Sequence, residues 1–453
     1  MNQLQIFLPC AAGVEDLLAH EVHDLTGLQG QDLLTRRGGV MTRASWRDAM
    51  RLNLHCRLAQ RVLVQLSYTN YRSEQDLYKA ASEVAWEIWF TPKQSIKVEV
   101  TAQHSPLTSL NFAALKIKDA VCDRFRAKAH GVRPDVNTQW PDARIYAHLT
   151  TDTCSLYLDT SGEPLFKRGW REDKGDAPLK ETLAAAMIAA SGWADGDDDL
   201  LPLYDPCCGS GTIAIEAAQI ACNIAPGSLR HFAFEKYLPF QAHVWSAIKT
   251  EAASAVVKPP AGHKALIYGS DVSHRMVDFA QRNAERAGVA DVVEFRGGDA
   301  LQRMPPTDIP GILLLNPPYG ERIAVAGIAG GERIAVGGVA GSGSAHATRS
   351  GASRRAVGQG SDGARNSEPD FEGQFGAREQ AVTEDGGEFF SQLASHWKKH
   401  FSGWTGWILT PDLKLPGKMR LKESRRVPMW NGPIECRMFR FDMVKGAARD
   451  KKP

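Results

Sequence analysis

The segment ILLLNPPYGER (312–322) runs from an apolar stretch straight into Asn316-Pro317-Pro318-Tyr319. Two prolines fix φ and remove backbone donors, so the carbonyls of Asn316 and Pro317 are held outward as acceptors. The Asn316 side chain adds another carbonyl acceptor, and Tyr319 offers a planar face on which a base can stack. Such a site suits a planar –NH2 group. Two acceptors take its two protons and turn its nitrogen toward an electrophile.

Three further segments place acids where a nucleoside could meet them. LPLYDPCCGSGTIAIEAAQIA (201–221) reads as a short strand ending at Asp205, a turn with Gly209 and Gly211, and a helix opening at Thr212. The glycines permit a tight turn and close approach of the backbone to a ligand. Ala214 holds the third glycine position of the dinucleotide pattern and no Gly-Lys-Ser/Thr follows, so neither that fingerprint nor a P-loop is present. KALIYGSDVSHRMVDFAQRNAERAGV (264–289) brings a second strand to Asp271, where a carboxylate can accept hydrogen bonds from ribose hydroxyls. VVEFRGGDALQ (292–302) puts Asp299 at a third strand tip, placed to accept from an adenine amino group. Taken singly, each motif is also an ordinary turn or loop. In order after predicted strands, they describe a nucleoside site without a phosphate requirement.

Tips that must meet in space call for a sheet. From about residue 178 to 322 the chain alternates strand, turn and helix, the texture of an α/β fold. Ahead of it, 3–9 reads as a strand, 12–26 and 46–58 as helices and 61–68 as a strand. A second α+β unit follows, with an amphipathic helix at 74–88, a strand at 95–103, a helix at 111–130 and strands at 144–149 and 153–159. The helix 111–130 carries Lys116, Lys118, Arg124, Arg126 and Lys128, and Arg133 extends the patch. That face is either simply solvated or a phosphate-contacting surface. A helix from Glu388 leads to a strand at 404–411, and a pair of strands at 416–427 and 433–443 closes the chain.

Composition bounds the class. The 453 residues predict several domains, and 43% apolar residues suffice for large cores. A formal charge of +2 excludes a blanket of basic residues, although residues 397–453 hold 14 Lys/Arg against 5 Asp/Glu. The eight cysteines include no C-x-x-C pair, so reduced thiols in a cytoplasmic protein and no metal site are expected. No basic leader and no 18-residue apolar run is present, and no membrane partner is expected. Residues 320–387 hold 16 of the 41 glycines and a tandem copy, GERIAVAGIAG then GERIAVGGVAG. Two copies cannot build a solenoid, and the composition predicts a flexible insertion over 324–384.

The motifs DPCCGSGTIAIEAA, GSDVSHRMVDFAQRNAERAGV, GDA and NPPYGER, with ALKIKDAVCDRF, LYLDTSGEPLFKRGWRE, GDAPLKETLAAAM and WNGPIECRMFRF, resemble the THUMP-containing class I methyltransferases that modify guanine N2. The resemblance covers about residues 3–319 and 388–443, and is nearest to members acting on bacterial 23S rRNA near position 2445. It implies a ferredoxin-like unit over 1–65, a THUMP RNA-binding domain over 66–165 interleaved with it, and a Rossmann-like methyltransferase domain over 166–453 with a seven-stranded mixed sheet, interrupted by the insertion. It implies S-adenosylmethionine as methyl donor, held by Asp205, Pro206, Gly209, Ser210, Gly211 and Thr212, with Asp271 on the ribose and Asp299 and Ala300 beside the adenine. Asn316, Pro317, Pro318 and Tyr319 match the catalytic N-P-P-Y of amino-group methyltransferases. It raises the phosphate-contacting reading of the basic helix above the solvated one. The implied partner is 23S rRNA or a large-subunit assembly intermediate. Some members continue into a second domain that makes 7-methylguanine; ending at Pro453, this chain is expected to lack that activity. Guanine-N2 methylation of tRNA, adenine-N6 methylation of DNA, methylation of protein glutamine, and ribosome assembly without catalysis are the competing functions.

Overall fold

A computed structural model describes residues 3–175, 178–195, 200–257, 266–317 and 387–444. Pro318, Tyr319, the insertion 324–384 and the terminal residues from 445 lie outside the described residues.

The first half is built on one seven-stranded sheet. Its strands are β1 (Leu4–Pro9), β2 (Leu33–Arg36), β3 (Gly39–Ala44), β4 (Leu63–Asn70), β5 (Ile96–Ala102), β6 (Ala143–Leu149) and β7 (Thr153–Asp159), in the order β2-β3-β1-β4-β7-β6-β5. Strand β4 joins two smaller units. It meets β1 through only Ile6↔Val64 and Phe7↔Leu63 but pairs with β7 along its length. Helices α1 (Glu15–Thr26) and α2 (Trp46–His55) pack on the first unit, and α3 (Glu74–Glu83) and α4 (Leu110–Lys128) on the second. Reciprocal capping boxes, Ser45 with Asp48 and Ser73 with Asp76, start α2 and α3 by satisfying free N–H groups.

Two local expectations change. The helix anticipated over 74–88 stops at Glu83, Val84 turns extended, and a short 3-10 turn spans Trp86–Ile88. This turn buries Trp86 completely and lets its indole N–H donate to the Ala81 carbonyl at 2.7 Å. The β2–β3 hairpin was not anticipated. It turns at Arg37-Gly38, with Gly38 at φ 78°, a conformation that glycine adopts without steric cost.

The second half carries another seven-stranded sheet. Its strands are β8 (Leu203–Asp205), β9 (Ile267–Asp271), β10 (Val293–Gly297), β11 (Ile312–Leu315), β12 (Thr405–Thr410), β13 (Arg425–Asn431) and β14 (Ile434–Asp442), in the order β10-β9-β8-β11-β12-β14-β13. The first five run parallel, and β14 alone is reversed, pairing antiparallel with β12 on one side and β13 on the other. Helices α5 (Glu181–Ser191), α6 (Thr212–Ala221), α7 (Ala242–Ser254), α8 (His274–Arg286), α9 (Gly387–His400) and α10 (Leu415–Met419) accompany it. The strand expected over 416–427 begins only at Arg425. Before it, Pro416 sits in the first turn of α10, where its missing N–H costs nothing, and Leu415 and Met419 bury one helical face. Helix α7 was not anticipated.

The halves dock tightly. Tyr237 donates its hydroxyl proton to the Asp159 carbonyl at 2.7 Å, Lys236 pairs with Asp142 at 2.5 Å, and the Leu238 N–H reaches the Trp89 carbonyl at 2.8 Å. Among the described residues, no helix is long and apolar enough to cross a membrane.

Candidate active site

Strand order reverses at β8, whose neighbours are β9 and β11. In open α/β sheets the crevice beyond the carboxyl ends of strands at such a point receives ligands. Asp205, Asp271 and Asn316 stand at those ends, and Asp299 lies two residues past β10.

Asp205 is 2% exposed, and its carboxylate accepts the Cys207 N–H at 3.0 Å. Burial, with the Asp271 carboxylate adding, pushes its pKa up to about 8. Pro206 behind it is buried. The glycine turn follows. Gly209 lies at φ 53°, and its N–H donates to Asp271 Oδ2 at 3.0 Å, tying the first strand tip to the second. Gly211 lies at φ 87°, where a Cβ would stand 3.0 Å from both Ala280 and Phe295, so the position admits little but glycine. Ser210 and Thr212 are buried.

Asp271 Oδ1 accepts the Ser273 N–H at 2.8 Å. Burial raises its pKa, and the two backbone N–H groups oppose that rise. Asp299 Oδ1 accepts the Leu301 N–H at 2.9 Å, and Ala300 beside it is buried. Both carboxylates therefore keep acceptor capacity toward the crevice. Asn316 Oδ1 is buried and finds no hydrogen-bond partner among the described residues, and Pro317 beside it is buried. An unsatisfied buried acceptor at a strand tip is costly and calls for an explanation. Pro318 and Tyr319 lie outside the described residues.

The basic residues of α4 divide. Arg124 is committed: it donates to Glu87 at 2.6 and 2.8 Å and to the Ser82 carbonyl at 2.9 Å. Lys118 pairs with Asp119 at 2.7 Å, and Lys116 lies 5.3 Å from the Phe112 ring centroid. Arg126, Lys128 and Arg133 are exposed, with Arg126 also reaching Asp123.

Sequence reasoning missed several residues around the turn. Arg171 donates to the Thr212 hydroxyl at 2.8 Å, and the fully buried Asn283 donates to the Ser210 carbonyl at 3.1 Å. The available signal was the charged KRGWRE (167–172) just ahead of the sheet, but nothing in its spacing points at the turn.

Three family models match the chain: the RlmL ferredoxin-like domain over 5–63, the THUMP domain over 71–159, and the RMKL-like methyltransferase domain over 168–329. The chain thus carries a ferredoxin-like unit, a THUMP domain and an RMKL-like methyltransferase domain of the class I fold. It is 33% identical over 435 residues to "Ribosomal RNA large subunit methyltransferase K/L" of Psychromonas ingrahamii, covering 96% of this chain and 49% of that protein. The chain thus spans about half the length of the curated relatives it matches. Among solved structures it is similar to SMU.472 complexed with SAH, at 24% identity and TM-score 0.75 over 99% of this chain and 100% of that one. A possible methylase from Clostridium difficile 630 matches at 23% identity and TM-score 0.75, again over 99% and 100%.

Proposed function

We propose that this protein transfers a methyl group from S-adenosylmethionine to the exocyclic N2 of a guanine in 23S rRNA, near position 2445, in the bacterial cytoplasm. The observation that carries the reading is the buried Oδ1 of Asn316, without a hydrogen-bond partner among the described residues, at the tip of β11 beside the acids of the crevice. The name of the relatives, ribosomal RNA large subunit methyltransferase K/L, supports rRNA as the substrate class, and the ferredoxin-like and THUMP matches support an RNA partner.

The crevice suits the donor. Asp271 keeps lone pairs for ribose hydroxyls, Asp299 can accept the adenine amino protons, and Gly209 to Thr212 let the backbone approach its amino-acid end. When bound, S-adenosylmethionine would supply a sulfonium methyl for in-line attack by N2, the C–S bond breaking as the N–C bond forms, so that S-adenosylhomocysteine leaves and the surplus proton on N2 passes to solvent. The target guanine must be unpaired or extruded to reach the crevice. Asn316 and the Pro317 carbonyl accept the N2 hydrogens and aim its lone pair, and Tyr319 stacks on the purine. Orientation supplies much of the acceleration, and the acceptors stabilise positive charge developing on nitrogen.

The test uses undermodified 23S rRNA, tRNA and duplex DNA with labelled donor, and the Asn316→Ala variant. Label is expected in 23S rRNA, and N316A should lose on the order of 100-fold in turnover with donor affinity kept. Label only in tRNA or DNA, or a parallel loss of donor binding in N316A, would count against the reading.

A further inference from the structure

The segment 168–175, which joins the two sheets, is bonded to α8 through Trp170 and Asp173 and to the donor turn through Arg171. Trp170 is fully buried. Asp173 pairs with Arg282 at 2.9 Å and Arg286 at 2.7 Å, both on α8. Asn283 donates to the Asp173 carbonyl at 2.8 Å as well as to Ser210. Arg171, with a side chain 10% exposed, donates through Nε to Glu181 at 2.8 Å. One terminal nitrogen serves the Leu179 carbonyl at 2.9 Å and the Thr212 hydroxyl at 2.8 Å. The other makes only a 3.5 Å contact, to Ser210 Oγ, among the described residues. That length is at the limit of a hydrogen bond, so this nitrogen retains capacity to donate.

We propose that Arg171 is a donor-positioning residue: it holds the glycine turn through Ser210 and Thr212 and directs its second terminal nitrogen to the α-carboxylate of the donor's amino-acid end. This rests on the S-adenosylmethionine reading above. The charges around the crevice sort that end of the ligand. Asp271 stands at a neighbouring strand tip and Asp299 two residues past another. A carboxylate beside them meets like charge, whereas the donor's ammonium is drawn to them. Arg171 supplies the opposite charge at the Ser210 and Thr212 end of the turn. Glu181 occupies its Nε edge and fixes the plane of the guanidinium, and the plane in turn sets where the second terminal nitrogen points.

Calorimetric titration of the full chain with S-adenosylhomocysteine and with 5′-methylthioadenosine tests this, because the second ligand keeps the nucleoside and sulfur but lacks the amino-acid end. The double variant R171Q/E181Q removes both charges and leaves no unpaired buried carboxylate. It should weaken S-adenosylhomocysteine on the order of 10- to 100-fold, the value of a charged hydrogen bond, and 5′-methylthioadenosine by less than about threefold. R171K, which keeps the charge but not the fork, should recover part of the loss. Equal weakening of both ligands would reduce Arg171 to a prop for the turn and overturn the proposal, as would unchanged affinity for S-adenosylhomocysteine. A wild-type chain that binds neither ligand would instead sink the donor reading, and this inference with it.

Discussion

Arg168 and Glu216 form an ion pair at 3.0 Å in which neither side chain is more than 1% exposed. Glu216 lies on α6, one turn beyond the glycine loop, and Arg168 leaves the first half of the molecule. The arginine also donates to the Arg57 carbonyl at 2.8 Å and the Leu165 carbonyl at 2.9 Å, and Arg57 itself reaches Glu216 at 3.4 Å. The helix that presents the donor turn is therefore held by the ferredoxin-like unit as well as by its own sheet.

Breaking that pair from one side should be severe. Arg168→Met leaves a buried carboxylate with one distant partner, and a loss of about 3–5 kcal/mol in denaturant unfolding is expected. R168M/E216L, which removes both charges, should recover most of it. A single variant as stable as the parent would show that the two halves do not depend on this contact.

Asp205 makes a prediction about pH. Its folded-state pKa is pushed up to about 8 from an ordinary 3.8, so the folded protein holds a proton that the unfolded chain releases. This contribution to stability is fully present below pH 4 and is lost as pH rises toward 8. A cationic donor favours the carboxylate form, so binding near about pH 6.5 should expel a proton. Calorimetry in two buffers of different ionisation heat would measure it, and Asp205→Asn should abolish the release. Proton uptake would reverse the sign and contradict the assignment.

Cys207 and Cys208 sit inside the donor turn, and both thiols are raised well above their ordinary value, by burial first and then by the neighbouring carboxylates. Neither is poised as a thiolate, and an amine acceptor needs no covalent activation. The double serine variant should keep methyl transfer within about threefold. Complete loss with donor binding intact would revive a nucleophilic role.

On α4 the cations should separate by function. Replacing exposed Arg126, Lys128 and the adjoining Arg133 with glutamine should weaken RNA binding and flatten its logarithmic salt dependence by about 2, as three phosphate contacts on a single strand would. Arg124→Gln should chiefly lower the melting temperature, because that guanidinium holds Glu87 and the Ser82 carbonyl. The reverse pattern would place the RNA contact on the wrong side of the helix.

The convergence of Asp205, Asp271 and Asn316 at neighbouring strand ends was legible because each part is local. An apolar run, an acid and a turn residue lie within a few positions of one another at Asp205, Asp271 and Asn316, and strand order does the rest. Contacts made at a distance were not legible. Arg168 and Glu216 are 48 residues apart, and nothing in either neighbourhood marks the other. Asn283 reads as one more polar residue of an amphipathic helix, yet it is fully buried against Ser210. Arg124 looked like its basic neighbours on α4 until its packing against Glu87 was visible. Pro416 could have signalled a helix start, but the flanking basic residues mask the short apolar face of α10.

The central claim is tested most directly by mapping the product. Undermodified 23S rRNA methylated with isotopically labelled donor, digested and read by mass spectrometry, should carry one labelled N2-methylguanosine near position 2445 and none when Asn316→Ala replaces the parent. Label on another atom of guanine, on adenine, or at a distant site would contradict the account.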